Sequence, residues 1–182
     1  MARRFLLLVP LLLAGCPTSP EPREVEDLVD ATLWDVQPAE QDPFPEHRAE
    51  ADVICVQEAV RTEGAEGDEV LDVDTADCPY LAASQPSLAP IQAGDRLSIL
   101  AWHQALASTE PDAEGHMALV VDGALIWEIT VPIPGSADIY EPVVEMDSEV
   151  PEGAEVAVHV HNHGANTWRL GHVRVLPPGE VE

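Results

Sequence analysis

Three histidines stand at alternate positions near the C-terminal end of the chain. Residues 154–174 read A-E-V-A-V-H-V-H-N-H-G-A-N-T-W-R-L-G-H-V-R, which places His159, His161 and His163 each two residues apart. Valines precede each of the first two histidines, and this period of two predicts a half-buried strand. The valines would face a core and the imidazoles the opposite face. Imidazole suits zinc and copper, so the row is a candidate metal site that faces outward.

The spacing limits how these histidines share an ion. Neighbours two apart on a strand have Cβ atoms about 6–7 Å apart and can chelate one metal, whereas His159 and His163 are about 13 Å apart on an extended chain. Further ligands must come from elsewhere, and His103, His116 and His172 are the candidates. The alternative is that all these imidazoles are ordinary hydrogen-bonded groups on a sheet face.

A second alternating run follows the Asn- and Gly-rich turn at residues 162–166, and the pair of runs predicts a C-terminal β-hairpin. Trp168 and His172 would then lie beside the histidine row. An indole ring and nearby amides are what a sugar-binding face needs, so Trp168, Asn162, Asn166 and His172 form a candidate ligand face. The alternative is that each tryptophan fills the core.

Catalytic patterns are missing from the sequence. It contains no G-x-S-x-G elbow, no H-E-x-x-H pair and no glycine-rich phosphate loop after a strand. We therefore expect a binding protein rather than an enzyme.

The composition restricts the partners. Acidic residues outnumber basic ones by 34 to 8, for a formal net charge of −26. Such a charge repels nucleic acid and anionic membrane surfaces, and it favours solubility. The 17 prolines and 11 glycines disfavour long helices, and with the valine-rich alternation they indicate an all-β protein.

The N-terminus has a basic start, an apolar run from Phe5 to Leu13, and then Leu13-Ala14-Gly15-Cys16. The run is too short for a spanning helix. The tetrapeptide resembles the lipobox of bacterial lipoproteins. That resemblance implies removal of residues 1–15 as a signal peptide and acylation of Cys16, which anchors the chain to a membrane. Pro17 favours the outer membrane of the cell envelope, and an ordinary secretory signal is the alternative.

The segment after Cys16 is rich in proline and acid, which predicts an extended linker over residues 16–50. Residues 28–36 are a candidate first strand, so the start of the folded domain stays open between residues 24 and 51. The domain itself is predicted over residues 51–177, with a tail at 178–182.

Two cysteines remain beyond the anchor, Cys55 and Cys78. Since an exported chain meets an oxidising compartment, we expect them to form a disulfide. A thiol–histidine metal site or a reactive thiol is the alternative.

Short alternating runs separated by turn residues continue from Ala51 to Leu176, including the hairpin signal Asp122-Gly123. They predict a single β-sandwich of about eight or nine short strands. The succession A-G-D-R-L-S-I, the Asp-Gly hairpin, and P-x-G-A-E-V-A-V-H-V-H with a closing W-R-L resembles the galactose-binding-like jelly rolls, which are common as carbohydrate-binding modules.

Three functions follow from these expectations. The resemblance implies a lipid-anchored, non-catalytic module for a glycan or an envelope protein. The histidine row indicates instead a zinc- or copper-binding envelope protein. The third is a structural surface lipoprotein without a small ligand.

Overall fold

The computed structural model describes residues 23–47, 55–65 and 68–179. Within these ranges the chain forms twelve strands and three single turns of 3-10 helix, the turns at Ala39–Gln41, Pro45–His47 and Gln57–Ala59. The strands are β1 (Glu26–Asp27), β2 (Asp35–Val36), β3 (Val60–Glu63), β4 (Val70–Asp74), β5 (Tyr80–Pro86), β6 (Arg96–His103), β7 (Glu114–Val121), β8 (Ala124–Pro132), β9 (Asp138–Tyr140), β10 (Val143–Glu145), β11 (Glu155–Asn162) and β12 (Thr167–Leu176).

The strands form two antiparallel sheets packed face to face. The seven-stranded sheet has the order β10-β6-β12-β4-β3, with β1 beside β12 and β9 beside β6, and the five-stranded sheet has the order β2-β5-β11-β7-β8. The predicted all-β sandwich is confirmed. The strands outnumber the expected eight or nine because two- and three-residue pieces such as β1 and β9 are too short to show a period in the sequence.

The alternating valines supply the centre of the core. Val156, Val158 and Val160 of β11 are 0–1% exposed and face Val173 and Val175 of β12, which are fully buried. Burial of each such side chain contributes about 1.5–3 kcal/mol relative to leaving it in water. The predicted inward face of β11 is therefore confirmed.

The predicted C-terminal hairpin is wrong, because β11 and β12 belong to different sheets. β11 pairs with β5 and β7, whereas β12 pairs with β4, β6 and β1. The chain crosses the sandwich between Asn162 and Thr167. A turn rich in Asn and Gly serves a hairpin or a crossover equally well, so the local signal did not separate the two. The other predicted hairpin, β7–β8, is present, with positive φ at Asp122 (49°) and Gly123 (76°).

Residues before position 51 take part in the sandwich. β1 pairs with β12, β2 pairs with β5, and Leu28 between them is fully buried in the core. The Arg23 guanidinium also donates to the buried Asp95 carboxylate at 2.8–2.9 Å. Residues 23–47 are therefore part of the sandwich rather than of a linker, and β2 lies within the candidate first strand at residues 28–36. The predicted signal peptide and Cys16 lie outside the described residues.

The segment from Gln37 to His47, hereafter the strap, continues from β2. Its start is held where the Gln37 backbone N–H donates to the Ala82 carbonyl of β5 at 2.8 Å. Two of the 3-10 turns then carry the strap across the outer face of the five-stranded sheet, where Phe44 and His47 contact side chains of β7 and β11. The strap therefore covers the face on which the histidine row lies.

The predicted disulfide is confirmed between Cys55 and Cys78. Cys78 is fully buried just before β5, so the bond ties residue 55 to the edge of the core. A cross-link that closes a loop of this length contributes about 3 kcal/mol, largely by restricting the unfolded chain. In the described part of the chain, no helix combines the length and apolar character needed to cross a membrane.

Candidate functional site: a covered histidine cluster and an acidic groove

The histidine row lies on the outer face of the five-stranded sheet, as the alternation predicts, but it is covered. His159 is 0% exposed and His161 is 7% exposed, because the strap lies over both rings. The expectation that these imidazoles face outward into solvent is wrong. The covering segment precedes them by more than a hundred residues, so no local pattern revealed it.

Five imidazoles gather in this place and are here called the histidine cluster: His47, His116, His159, His161 and His163. The register opposes His116 of β7 to His161 of β11, and the strap supplies His47. The ring centroid of His47 lies 4.2 Å from that of His116, 5.7 Å from that of His159 and 5.8 Å from that of His161. The centroids of His116 and His159 are 5.2 Å apart. The centroid of His161 lies 6.4 Å from that of His159 and 4.4 Å from that of His163. The sequence prediction thus brought four of the five together and missed His47.

Two carboxylates orient two of these rings. Nδ1 of His159 lies 3.0 Å from both oxygens of Asp42, and both side chains are fully buried. Nε2 of His116 lies 3.1 Å from Glu128, whose side chain is about half exposed. A carboxylate oxygen accepts, so the ring nitrogen facing it donates. The opposite nitrogens, Nε2 of His159 and Nδ1 of His116, are buried without a hydrogen-bond partner.

Burial keeps two rings of the cluster neutral near pH 7. Loss of water lowers the pKa of His161 to about 4, and the neighbouring imidazoles, His163 first among them, act in the same direction. Burial likewise lowers the pKa of His116, although the hydrogen bond to Glu128 opposes the shift. These two imidazoles of the cluster, His116 and His161, are therefore uncharged near pH 7.

His163 differs from the rest because it is exposed. Its ring Nδ1 accepts a hydrogen bond from the Glu114 backbone N–H at 3.3 Å, and the backbone N–H of His163 donates to the Glu114 carbonyl at 3.0 Å. These contacts place His163 at the rim of the cluster. As the side chains stand, the described residues contain no group of three His, Cys, Asp or Glu side chains arranged to hold a metal ion. Metal binding remains a prediction.

His103, predicted as a further ligand, lies elsewhere. It is 2% exposed on β6 of the other sheet and packs on Trp168 with the ring centroids 4.6 Å apart. Its Nδ1 donates to the Gln104 carbonyl at 2.7 Å, which leaves Nε2 to accept from the Tyr140 hydroxyl at 3.0 Å. With both ring nitrogens bonded in the core of the sandwich, His103 is not part of the histidine cluster, and that prediction is wrong.

Trp168 does not share a face with the histidines. It is 0% exposed, and its indole N–H donates to the Asn162 side-chain oxygen at 3.3 Å. The Asn162 amide in turn donates to the Thr75 hydroxyl and the Gly164 carbonyl. These bonds hold the crossover between β11 and β12, so the prediction of Trp168 and Asn162 as a ligand face is wrong.

Asn166 belongs to the same crossover. Its side-chain oxygen accepts from the Thr167 N–H at 2.8 Å, its amide donates to the Ala105 carbonyl, and its backbone N–H donates to the Thr75 hydroxyl. These hydrogen bonds use the side-chain oxygen, the side-chain amide and the backbone N–H of Asn166, so the residue stabilises the crossover.

His172, the remaining predicted ligand residue, lines a groove of about 350 Å3 beside the seven-stranded sheet. We call it the acidic groove, because its lining includes the side chains Asp27, Asp30, Asp68 and Glu69 together with His172, Leu100 and Arg174. Arg174 is paired with Asp27 at 2.9 Å. The groove therefore carries excess negative charge, and it lies on the opposite sheet from the histidine cluster.

A half-buried tryptophan adjoins this groove. Trp102 projects from the outer face of β6, and a Cβ atom at Gly171 would lie 2.8 Å from its Cζ3 atom, so only glycine lets the ring lie this close to β12. The Arg169 guanidinium is 6.0 Å from the ring centroid. Ile139, opposite Trp102 on β9, is 63% exposed. Together these side chains make an apolar surface next to the acidic groove.

Sequence reasoning missed Asp42, His47 and Glu128 in the cluster and Trp102 at the groove. Asp42 is one of 34 acidic residues and lies 117 positions from its partner His159, so nothing local singles it out. Trp102 is one of only four tryptophans in the sequence. No local pattern distinguished it from the other three, which lie in the core or pack against it.

Carbohydrate-binding modules are among the solved structures with similar folds. TmCBM61, solved in complex with β-1,4-galactotriose, has a TM-score of 0.46 and 12% identity, covering 84% of this chain and 99% of its own. TmCBM27, described as recognising mannan, has a TM-score of 0.45 and 9% identity, with 84% and 95% coverage. The C-terminal CBM6 of the laminarinase LamC from Zobellia galactanivorans has a TM-score of 0.40 and 18% identity, with 65% and 88% coverage.

No protein-family model matches the chain, and no curated protein matches its sequence. Likeness at TM-scores below 0.5 does not identify a ligand for this chain.

The lowered pKa of His161 predicts an acid-sensitive fold. Above pH 6.5 the ring is neutral in the folded and unfolded chains alike. As the pH falls from 6.5 toward 4, His161 becomes protonated in the unfolded chain but stays unprotonated in the folded chain. The free energy of unfolding therefore decreases by up to about 1.4 kcal/mol per pH unit for this group. Urea denaturation between pH 6.5 and 5, with a chelator present, measures the slope.

The matched comparison is His161→Gln against His172→Gln. We expect the first variant to show a shallower pH slope and the second, which alters a histidine on the opposite sheet, to keep the parental slope. An unchanged slope in His161→Gln contradicts this account.

Proposed function

We propose that this protein is a non-catalytic binding module whose ligand is a neutral glycan held at the acidic groove. The observation that carries the proposal is the position of Trp102. It is the tryptophan that lies on the outer face of a sheet, and it does so beside the acidic groove and over a glycine that admits its ring.

The chemistry of the two surfaces suits a sugar. The apolar face of a pyranose packs on an indole ring, while its hydroxyl groups need hydrogen-bond acceptors at the ring's edge. The carboxylates of Asp30 and Glu69 and the imidazole of His172 line the neighbouring groove. Ile139 extends the apolar surface along the strand.

The charge of the groove restricts the class of glycan. Four carboxylates against the single guanidinium of Arg174 repel uronic acids and sulfated sugars. Neutral polysaccharides carry no such penalty. The net charge of −26 on the whole chain acts in the same direction.

Replacing Trp102 with alanine is expected to weaken glycan binding about 5- to 30-fold, because loss of a stacked ring costs roughly 1–2 kcal/mol. Affinity electrophoresis and calorimetry against galactan, mannan, xylan, β-1,3-glucan and amorphous cellulose measure the effect, with polygalacturonate as the acidic comparison. Leu125→Ala is the control, since Leu125 is an exposed apolar side chain on β8 of the other sheet.

Two results would overturn the proposal. One is failure of the parent protein to bind any of these polysaccharides, which would favour a structural lipoprotein without a small ligand. The other is glycan binding that survives in Trp102→Ala, which would place the site elsewhere on the molecule.

The lipobox-like Leu13-Ala14-Gly15-Cys16 supports a second part of the proposal, that the module is displayed on the cell envelope by acylation of Cys16. Two or more acyl chains hold a protein on a bilayer durably, whereas one does so only weakly. The acidic, Pro-containing sequence after Cys16 then separates the domain from the membrane.

Changing Cys16 to serine is expected to abolish incorporation of labelled palmitate and to shift the protein from the membrane fraction to the soluble fraction. Fractionation of cells that export the parent and the variant measures this, with Cys55→Ser as the control that leaves the acylation site intact. Membrane association that persists in Cys16→Ser contradicts lipid anchoring at this residue.

A further inference from the structure

The histidine cluster has features that a surface of ordinary hydrogen-bonded histidines lacks. Its members come from separate parts of the chain, His47 from the strap, His116 from β7 and His159 from β11, and meet beneath a covering segment. A core position of this kind is normally filled by apolar side chains or by polar groups with partners. Here two buried ring nitrogens have none.

The two unpartnered nitrogens belong to the rings that are held by carboxylates. Nδ1 of His159 donates to Asp42, so whenever this imidazole is in its neutral form the lone pair is on the buried Nε2. In His116, Nε2 donates to Glu128, so the lone pair is on the buried Nδ1. A carboxylate on one nitrogen and a free lone pair on the other is the arrangement that fixes the tautomer of metal-binding histidines.

The separations within the cluster approach those of a zinc site. Zinc holds imidazole nitrogens at about 2.0–2.1 Å in a tetrahedral shell, which places the ring centroids of its ligands about 5 Å apart. The centroids of His116 and His159 are 5.2 Å apart, and His47 lies 5.7 Å from His159. His161 is 5.8 Å from His47.

Two pairs do not fit as they stand: His161 lies 6.4 Å from His159, which is too far, and His47 lies too close to His116. His47 is stacked on His116 at 4.2 Å with the planes 9° apart, closer and more nearly parallel than two ligands of one ion. As they stand, the described residues contain no group of three side chains arranged to hold a metal ion. Binding requires the ring of His47 to turn out of the stack.

We propose that the histidine cluster binds one zinc ion through Nε2 of His159 and Nδ1 of His116, with His47 and His161 completing the shell. Asp42 and Glu128 are positioning residues that orient the two principal ligands. Because His47 belongs to the strap and the other ligands to the sheet, the ion fastens the strap to the sandwich. The site is independent of the acidic groove on the opposite sheet.

The direct test is calorimetric titration of the purified, untagged protein with Zn2+ after treatment with a chelator. We expect one ion per chain, and hydrogen exchange at residues 37–47 should slow when zinc is added. Titration with Co2+ adds a spectroscopic measurement, because its visible absorption becomes intense in a four-coordinate site. Cu2+ is titrated in parallel, since imidazole suits both metals.

Variants locate the ion. His159→Gln should abolish stoichiometric binding, whereas Asp42→Asn, which keeps every ligand, should weaken it 10–100-fold and alter the Co2+ spectrum. Glu128→Gln should act in the same way through His116, and the exposure of that carboxylate makes the variant safe for folding. His172→Gln is the matched control and should bind as the parent does.

The proposal is overturned if no saturable Zn2+ or Cu2+ binding is found. It is also overturned if binding is stoichiometric but unchanged in both Asp42→Asn and Glu128→Gln, which would place the ion at other histidines. Copper binding with the same dependence on these variants supports the same site with a different metal. A loss of zinc binding leaves glycan binding at Trp102 untouched, so the two proposals fail separately.

Discussion

The buried contact between Asp42 and His159 determines the outer face of the five-stranded sheet. Both side chains are fully buried, and the imidazole nitrogen lies 3.0 Å from each carboxylate oxygen. A carboxylate without water is stable only where hydrogen bonds replace its hydration, and here the Phe44 backbone N–H adds one at 2.7 Å. The strap must therefore stay over the sheet, and with it in place His161 is buried as well.

The two sheets consequently present different surfaces. On the five-stranded sheet the strap covers His159 and His161, and burial lowers the pKa of His116 and His161, which keeps those two rings neutral near pH 7. On the seven-stranded sheet β12 has Gly171 where a side chain would collide with Trp102, so an aromatic ring and the acidic groove stay open. The proposed zinc site and the proposed glycan site thus lie on opposite faces, and the valine core between them separates the two.

The features that the sequence predicted are those with a local cause. The alternation of side chains predicted that Val156 and His159 lie on opposite faces of the sheet. The pair Asp122-Gly123 predicted the β7–β8 hairpin, because few residues accept the positive φ that its turn requires. The errors concern contacts between distant positions. The crossover at Asn162 looks like a hairpin turn until the sheet pairing is known. Asp42 has no local pattern that points to His159, since their contact exists only after the strap has crossed the sheet.

A double-mutant cycle between Asp42 and His159 tests this account most directly. The free energies of unfolding of the parent, Asp42→Asn, His159→Gln and the double variant are measured by urea denaturation at pH 7 with a chelator present. The account predicts a coupling energy of about 1–3 kcal/mol, because each single change leaves a buried polar partner unsatisfied. Additive effects of the two changes, within about 0.5 kcal/mol, would contradict it and would mean that the strap is held by other contacts.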